Sequence, residues 1–317
     1  MNVHFFNKDS QNGGFLLITV GLFILLFVTK VFQHGLFFDG LIYSSISNNL
    51  SEGLGSFWQP HFSETIYPQF YEHPPLVFGM EAFFMKMFNG SFYAEKLFSL
   101  LTAVFSAFFI GLIWRKISFS ERQKQLFWLP ILFWLITPKN AWAFSNNLLE
   151  NSLTLFTLTS IYFLFVSINS RGFKHYASIA LVAGLFFSAF LSKGFPGLFP
   201  LGFFFLYWVV FSNTYSFKSF LLDSLFLVGC FIVIVITVFY FNAAAQTNFL
   251  TYFDSQVMDS ITGENRVGSR LVLMKNLLNE LLPILIIAAI LFIAFRKKIK
   301  TVFKAEGNYL KYGLFFY

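Results

Sequence analysis

The chain has 317 residues, of which 56% are hydrophobic and only 12% charged, with a formal net charge of +7. Soluble domains carry roughly 25% charged residues, so this composition excludes a soluble fold and defines a polytopic membrane protein. The positive charge is distributed among the short loops that separate apolar runs, as in a membrane protein with a cytoplasmic side, which argues against a nucleic-acid partner. A single cysteine, Cys230, permits neither an internal disulfide nor a cysteine zinc cluster.

Apolar runs of roughly 17–25 residues can cross a bilayer as helices. In chain order the sequence predicts about eight of them, near 15–34, 92–114, 126–143, 148–168, 176–192, 196–212, 220–241 and 281–295. The first lacks a small-residue cleavage site and runs on past Lys30, so it reads as a retained anchor rather than a signal peptide. Residues 35–91 follow as a first outer loop. Within it, Leu41, Ile42, Ile46 and Leu50 recur at helical spacing with Ser and Asn opposite, which predicts a short helix lying on the membrane surface and ending at Ser51 to Gly55. Residues 76–88, with Glu81 and Lys86, are too short to span and predict a second surface helix, closed by a turn at Asn89 and Gly90.

Pro130, Pro138, Pro196 and Pro200 interrupt the middle spans, as is tolerated where neighbouring helices or a cavity satisfy the freed backbone. Residues 242–280 form a second outer loop before the last span. No soluble domain, internal repeat or low-complexity tract is visible. Tyr309 to Tyr317 resembles the start of a further span, so the sequence is expected to be part of a longer protein. The expected fold is therefore an all-α transmembrane bundle forming one domain over residues 1–317, with surface helices in its first extracytoplasmic loop.

Lys and Arg set the orientation. Arg115, Lys116, Arg122 and Lys124 fill one loop, Arg171 and Lys174 another, Lys218 a third, and Arg296, Lys297, Lys298, Lys300 and Lys304 follow the last span. All fall on one side, predicted to be cytoplasmic and shared by the amino terminus. The acid-bearing segments 35–91 and 242–280 fall on the other.

Ionisable residues at the bilayer edge are costly and usually serve a site. Asp39 opens the first surface helix, where it could serve as a helix N-cap and also as a fixed carboxylate. Glu150 begins a span at the same outer face, where a dipole-favoured acid is also an ordinary occupant. Lys193 stands before Gly194, Phe195 and Pro196. A snorkelling lysine would explain it, but the opened backbone beside a positive charge also suits an anion such as phosphate. Arg266 and Arg270 could add charge to that anion, although a solvated loop pair accounts for each alone. Glu72 and His73 lack a second histidine nearby, so a structural role outweighs metal ligation. No Asp-x-Asp pair and no phosphate-cradling glycine loop is present, which leaves nucleotide chemistry without support.

The order of these features carries a resemblance. An outward Asp39 after the first span is followed by Tyr71-Glu72-His73-Pro74-Pro75-Leu76, then by Leu148-Leu149-Glu150, then by Lys193-Gly194-Phe195-Pro196. The series resembles the GT-C membrane glycosyltransferases, in the branch with protein O-mannosyltransferases and the bacterial lipid A aminoarabinose transferase. The resemblance implies transfer of a sugar from a polyprenyl-phosphate donor to a protein, lipid or glycan acceptor at the outer face of a bacterial inner membrane. It implies Asp39 and Glu150 as catalytic acids. Taken with the residue reading above, Tyr43, Tyr71, Glu72, His73, Lys193, Arg266 and Arg270 are the expected substrate-binding residues, and no cofactor is expected. His73 departs from the family, which often has Lys there. A transporter or lipid flippase, and an inactive fragment of the transferase, are the rival readings.

Overall fold

A computed structural model describes residues 8–91, 93–118, 120–262 and 270–305. Its helices, in chain order, are α1 (Lys8–Phe23), continued by a π-helical turn (Ile24–Val28) into α2 (Thr29–Val31), then α3 (Phe38–Ser51), α4 (Leu76–Met87), α5 (Ala94–Ile117) and α6 (Glu121–Lys124). They continue with α7 (Trp128–Ile136), α8 (Pro138–Ser145), α9 (Leu149–Ile168), α10 (Phe173–Lys193), a 3-10 segment (Phe195–Gly202) and α11 (Phe203–Phe211). The series closes with α12 (Phe217–Phe241), α13 (Ala243–Tyr252), a π-helical stretch (Phe253–Met258), α14 (Asp259–Thr262) and α15 (Arg270–Ala305). A two-stranded antiparallel ribbon, β1 (Gly55–Ser56) with β2 (Gln59–Pro60), lies between α3 and α4.

Among the described residues six helices are long and apolar enough to cross a membrane, at Asn12–Val31, Ala94–Ile117, Leu149–Ile168, Phe173–Lys193, Phe217–Phe241 and Met274–Ala294. Two of the expected spans are instead jointed. The 126–143 run divides into α7 and α8 at Thr137, whose ψ of 113° takes it out of the helical region. Pro138 explains this, because its ring crowds a helical residue before it. The 196–212 run opens as a 3-10 segment holding Pro196 and Pro200 and becomes α-helical only at Phe203. The last span also differs from expectation. It begins at Arg270, so residues 270–280 are helix rather than loop, and Pro283 lies inside the helix. At 36 residues and ~1.5 Å per residue, α15 exceeds the ~30 Å hydrocarbon core. Much of the remaining expected outer loop is also helical, as α13, the π-helical stretch and α14.

The bundle centres on α10, which packs against α9 and α12, while α5 packs on the far side of α9. Ile179, Val182, Ala183 and Phe186 of α10 are fully buried against Leu164 and Phe165 of α9 and Phe204 of α11. Lipid offers no hydrophobic drive for helix pairing, so small residues and interhelical hydrogen bonds hold such contacts. Asn151 Nδ2 donates to Ser99 Oγ (2.9 Å) and to Ala143 O (3.2 Å), and Ser99 Oγ donates to Phe144 O (2.5 Å). Lys96 Nζ donates to Gly35 O (2.8 Å) and Ser145 O (3.1 Å), joining the start of α5 to the ends of α2 and α8. At the other end of the bundle, His175 Nδ1 meets Ser167 O (2.9 Å), His175 Nε2 meets Asp223 Oδ1 (2.9 Å), and Tyr215 OH donates to Asp223 Oδ2 (2.6 Å).

The two surface helices form as expected and pack on each other. The buried face of α3 is rotated from the expected one. It consists of Gly40, Tyr43, Ile46 and Ser47, while Leu41 stays exposed. The aromatic ring of Tyr43 sets this, lying against Phe78 of α4 with centroids 5.8 Å apart.

Candidate active site

The first turn of α3 is fixed by a close approach. The N–H of its N-cap residue, Phe37, donates to Asn146 Oδ1 (2.7 Å) in the turn between α8 and α9. A Cβ on Gly40 would stand 2.0 Å from Asn146 O, so only glycine lets the helix sit this close. Asp39 is therefore not the N-cap expected from the sequence. It lies within the first turn, half-buried, at the electropositive end of the helix.

Tyr43, one turn on, is buried to 6% exposure. Burial pushes its hydroxyl pKa up, and the negative charges of Asp39, Glu150 and Glu72 push it further the same way. Three carboxylates are thus near enough to one phenol to act on its charge. The His73 ring meets Tyr43 edge to face, with centroids 5.6 Å apart. Burial and then the Lys193 ammonium lower the His73 pKa to about 4 against an opposing pull from Glu150, which keeps the ring neutral at neutral pH. Glu150, in the first turn of α9, forms an ion pair with Lys193, the last residue of α10. Glu72 accepts a hydrogen bond from Tyr67 OH (2.5 Å).

Gly194 ends α10 with φ +80°, and a Cβ there would stand 1.8 Å from Tyr252 OH. That tyrosine hydroxyl takes a hydrogen bond from the Phe195 backbone. The Lys193-Gly194 corner is thereby held by α13, a segment expected to be loop.

The structure brings Asp39, Tyr43, Glu72, His73, Glu150 and Lys193 into one neighbourhood at one end of the spans. Tyr71 adjoins it in the chain, but its hydroxyl is turned away and donates to Gln69 Oε1 (2.8 Å). Arg266 lies outside the described residues. Arg270 begins α15, and its side chain is likewise outside the described set. Among the described residues, no three His, Cys, Asp or Glu side chains gather as metal ligands.

Sequence reasoning passed over Glu81. It is completely buried on α4, accepting from Asn147 Nδ2 (2.6 Å) and pairing with Ser47 Oγ (3.0 Å). Burial raises its pKa to about 8 although both hydrogen bonds oppose the shift. The signal was available, because Val77, Phe78, Glu81, Ala82 and Met85 share one helical face and all are buried.

The chain is thus a bundle of apolar helices with an acid- and lysine-bearing neighbourhood at one end of its spans. Among solved structures, the crystal structure of ArnT from Cupriavidus metallidurans bound to undecaprenyl phosphate shares this fold, with a TM-score of 0.64 and 16% sequence identity. The match covers 98% of this chain and 54% of that one, so the chain spans about half the length of that protein. No protein-family model matches the sequence, and no curated protein matches it.

Proposed function

We propose that the protein takes part in glycosyl transfer from a polyprenyl-phosphate-linked sugar to a hydroxyl or amine on a protein, lipid or glycan acceptor, at the extracytoplasmic face of the membrane. The observation that carries this reading is the convergence of Asp39, Glu72 and Glu150 around Tyr43, with Lys193 paired to Glu150, in a bundle that shares the fold of ArnT.

In this mechanism Asp39 accepts the proton of the acceptor as its oxygen or nitrogen attacks the anomeric carbon. The bond from that carbon to the phosphate oxygen breaks, and the electron pair leaves with the lipid phosphate. Departure as a stabilised anion requires no strong acid. Lys193 offsets the charge on the leaving phosphate, and Glu150 holds the ammonium in place between turnovers. One displacement inverts the anomeric centre. Neutral His73 and the phenol of Tyr43 supply hydrogen-bonding groups without adding charge.

The test is a transfer assay on intact membranes with a panel of polyprenyl-phosphate sugars and the full-length protein. Asp39→Asn is expected to abolish transfer while leaving membrane insertion intact, and full activity in that variant rules out the assignment. Lys193→Ala is expected to weaken donor binding, and unchanged donor affinity counts against the phosphate role.

A further inference from the structure

At the opposite end of the spans, α1, α5 and α7 leave a gap. The 24 residues of α5 extend ~36 Å at the helical rise. Lys96 in its first turn reaches Gly35, beside the site, whereas Arg115 in its last turn lines a cavity with Asn12, near the start of α1. Between α1, α5 and α7 runs an apolar groove of about 430 Å³, walled by Val20, Phe23, Ala107, Phe108 and Ile131. A second cavity of about 510 Å³ is lined by Asn12, Glu121, Lys124, Gln125 and Trp128. Leu16, Arg115 and Phe127 line both, so an apolar channel and a charged mouth meet along one wall.

The mouth is built for an anion. The guanidinium of Arg115 rests over the Phe127 ring, 4.4 Å from its centroid, which fixes the charge at the junction. Lys124 pairs with Glu121 (2.6 Å), an exposed carboxylate, and such surface pairs are weak and readily shared. Over residues 115–124, Arg115, Lys116, Arg122 and Lys124 stand against the single acid Glu121. Trp128, which also lines the mouth, stacks on Phe15 with centroids 5.0 Å apart.

We infer that the two adjoining cavities bind an anionic glycerophospholipid, with its phosphate between Arg115 and Lys124 and an acyl chain in the groove between α1 and α5. Polar and apolar parts of the site occur in the order in which a lipid presents them, and the charge is complementary to the headgroup. This site stands apart from Asp39 and Lys193 and does not depend on the glycosyltransferase reading.

The experiment is native mass spectrometry of the delipidated full chain, titrated with phosphatidylglycerol, phosphatidylcholine or undecaprenyl phosphate. Phosphatidylglycerol is expected to bind more tightly than phosphatidylcholine. The double variant Arg115→Gln, Lys124→Gln removes two interfacial cations and is expected to weaken phosphatidylglycerol roughly 30-fold with an unchanged melting temperature. Ala107→Trp fills the groove and is expected to weaken both phospholipids. Equal affinity for the two phospholipids overturns the proposal, as does a double variant that binds like the parent. Displacement of phosphatidylglycerol by equimolar undecaprenyl phosphate also overturns it, by assigning the site to the polyprenyl lipid.

Discussion

Replacing Glu81 by Gln should flatten the pH dependence of stability. The carboxyl has a pKa of about 8 when folded against an ordinary 4.5, with burial as the main cause. An acid whose folded value is raised holds its proton more tightly in the folded protein. Its contribution to stability is therefore fully present below about 4.5 and is lost as pH rises through about 8. Linkage over this interval amounts to about 3 kcal/mol between pH 5 and pH 8. The hydrogen bonding agrees with a protonated side chain. Ser47 has one hydroxyl proton and two groups in reach, Tyr43 O (2.9 Å) and Glu81 Oε2 (3.0 Å). A proton on Oε2 lets both contacts form at once, and the amide of Gln can do the same. The assay is the melting temperature of the detergent-solubilised protein between about pH 5 and pH 9. The parent curve should fall with pH while that of Glu81→Gln stays level and crosses above it. Parallel curves would refute the assignment of a buried neutral acid.

Two further perturbations test the framework around the site. Gly40→Ala drives a methyl into Asn146 O and should cost about 1–3 kcal/mol together with transfer activity. Gly184→Ala, where a Cβ meets nothing within 4 Å, should not lower the melting temperature, and equal melting temperatures for the two variants would show that the approach of α3 to Asn146 is unimportant. Asp223→Ala strips His175 and Tyr215 of their shared acceptor and should cost about 1–3 kcal/mol, as a buried hydrogen-bonding group left unsatisfied does, which thermal unfolding will report.

Much of the architecture was legible because the membrane imposes it. Spans such as Phe217–Phe241 must be long and apolar whatever their neighbours, and the surface helices declared themselves by being too short to cross. The residues that gather at one end of the spans were conspicuous as charges, since Asp39, Glu150 and Lys193 stand out in so apolar a chain. What the sequence concealed depends on contacts made elsewhere. The buried face of α3 follows from Tyr43 meeting Phe78, and the N-cap position passed to Phe37 because Asn146 supplies the acceptor. The last span was expected at 281–295, yet its helix runs back through Leu277 and Leu278 to Arg270. Glu81 was overlooked because its partners, Ser47 and Asn147, lie 34 and 66 residues away.

The clasp on Lys96 has a consequence for biogenesis. Its ammonium is held by one carbonyl 61 residues earlier and another 49 residues later in the chain. A ribosome delivers the first acceptor before the lysine and the second well after it, so α5 emerges with half of its anchor still unmade. A chain stalled before Ser145 would leave the Lys96 ammonium with one of its two carbonyl partners.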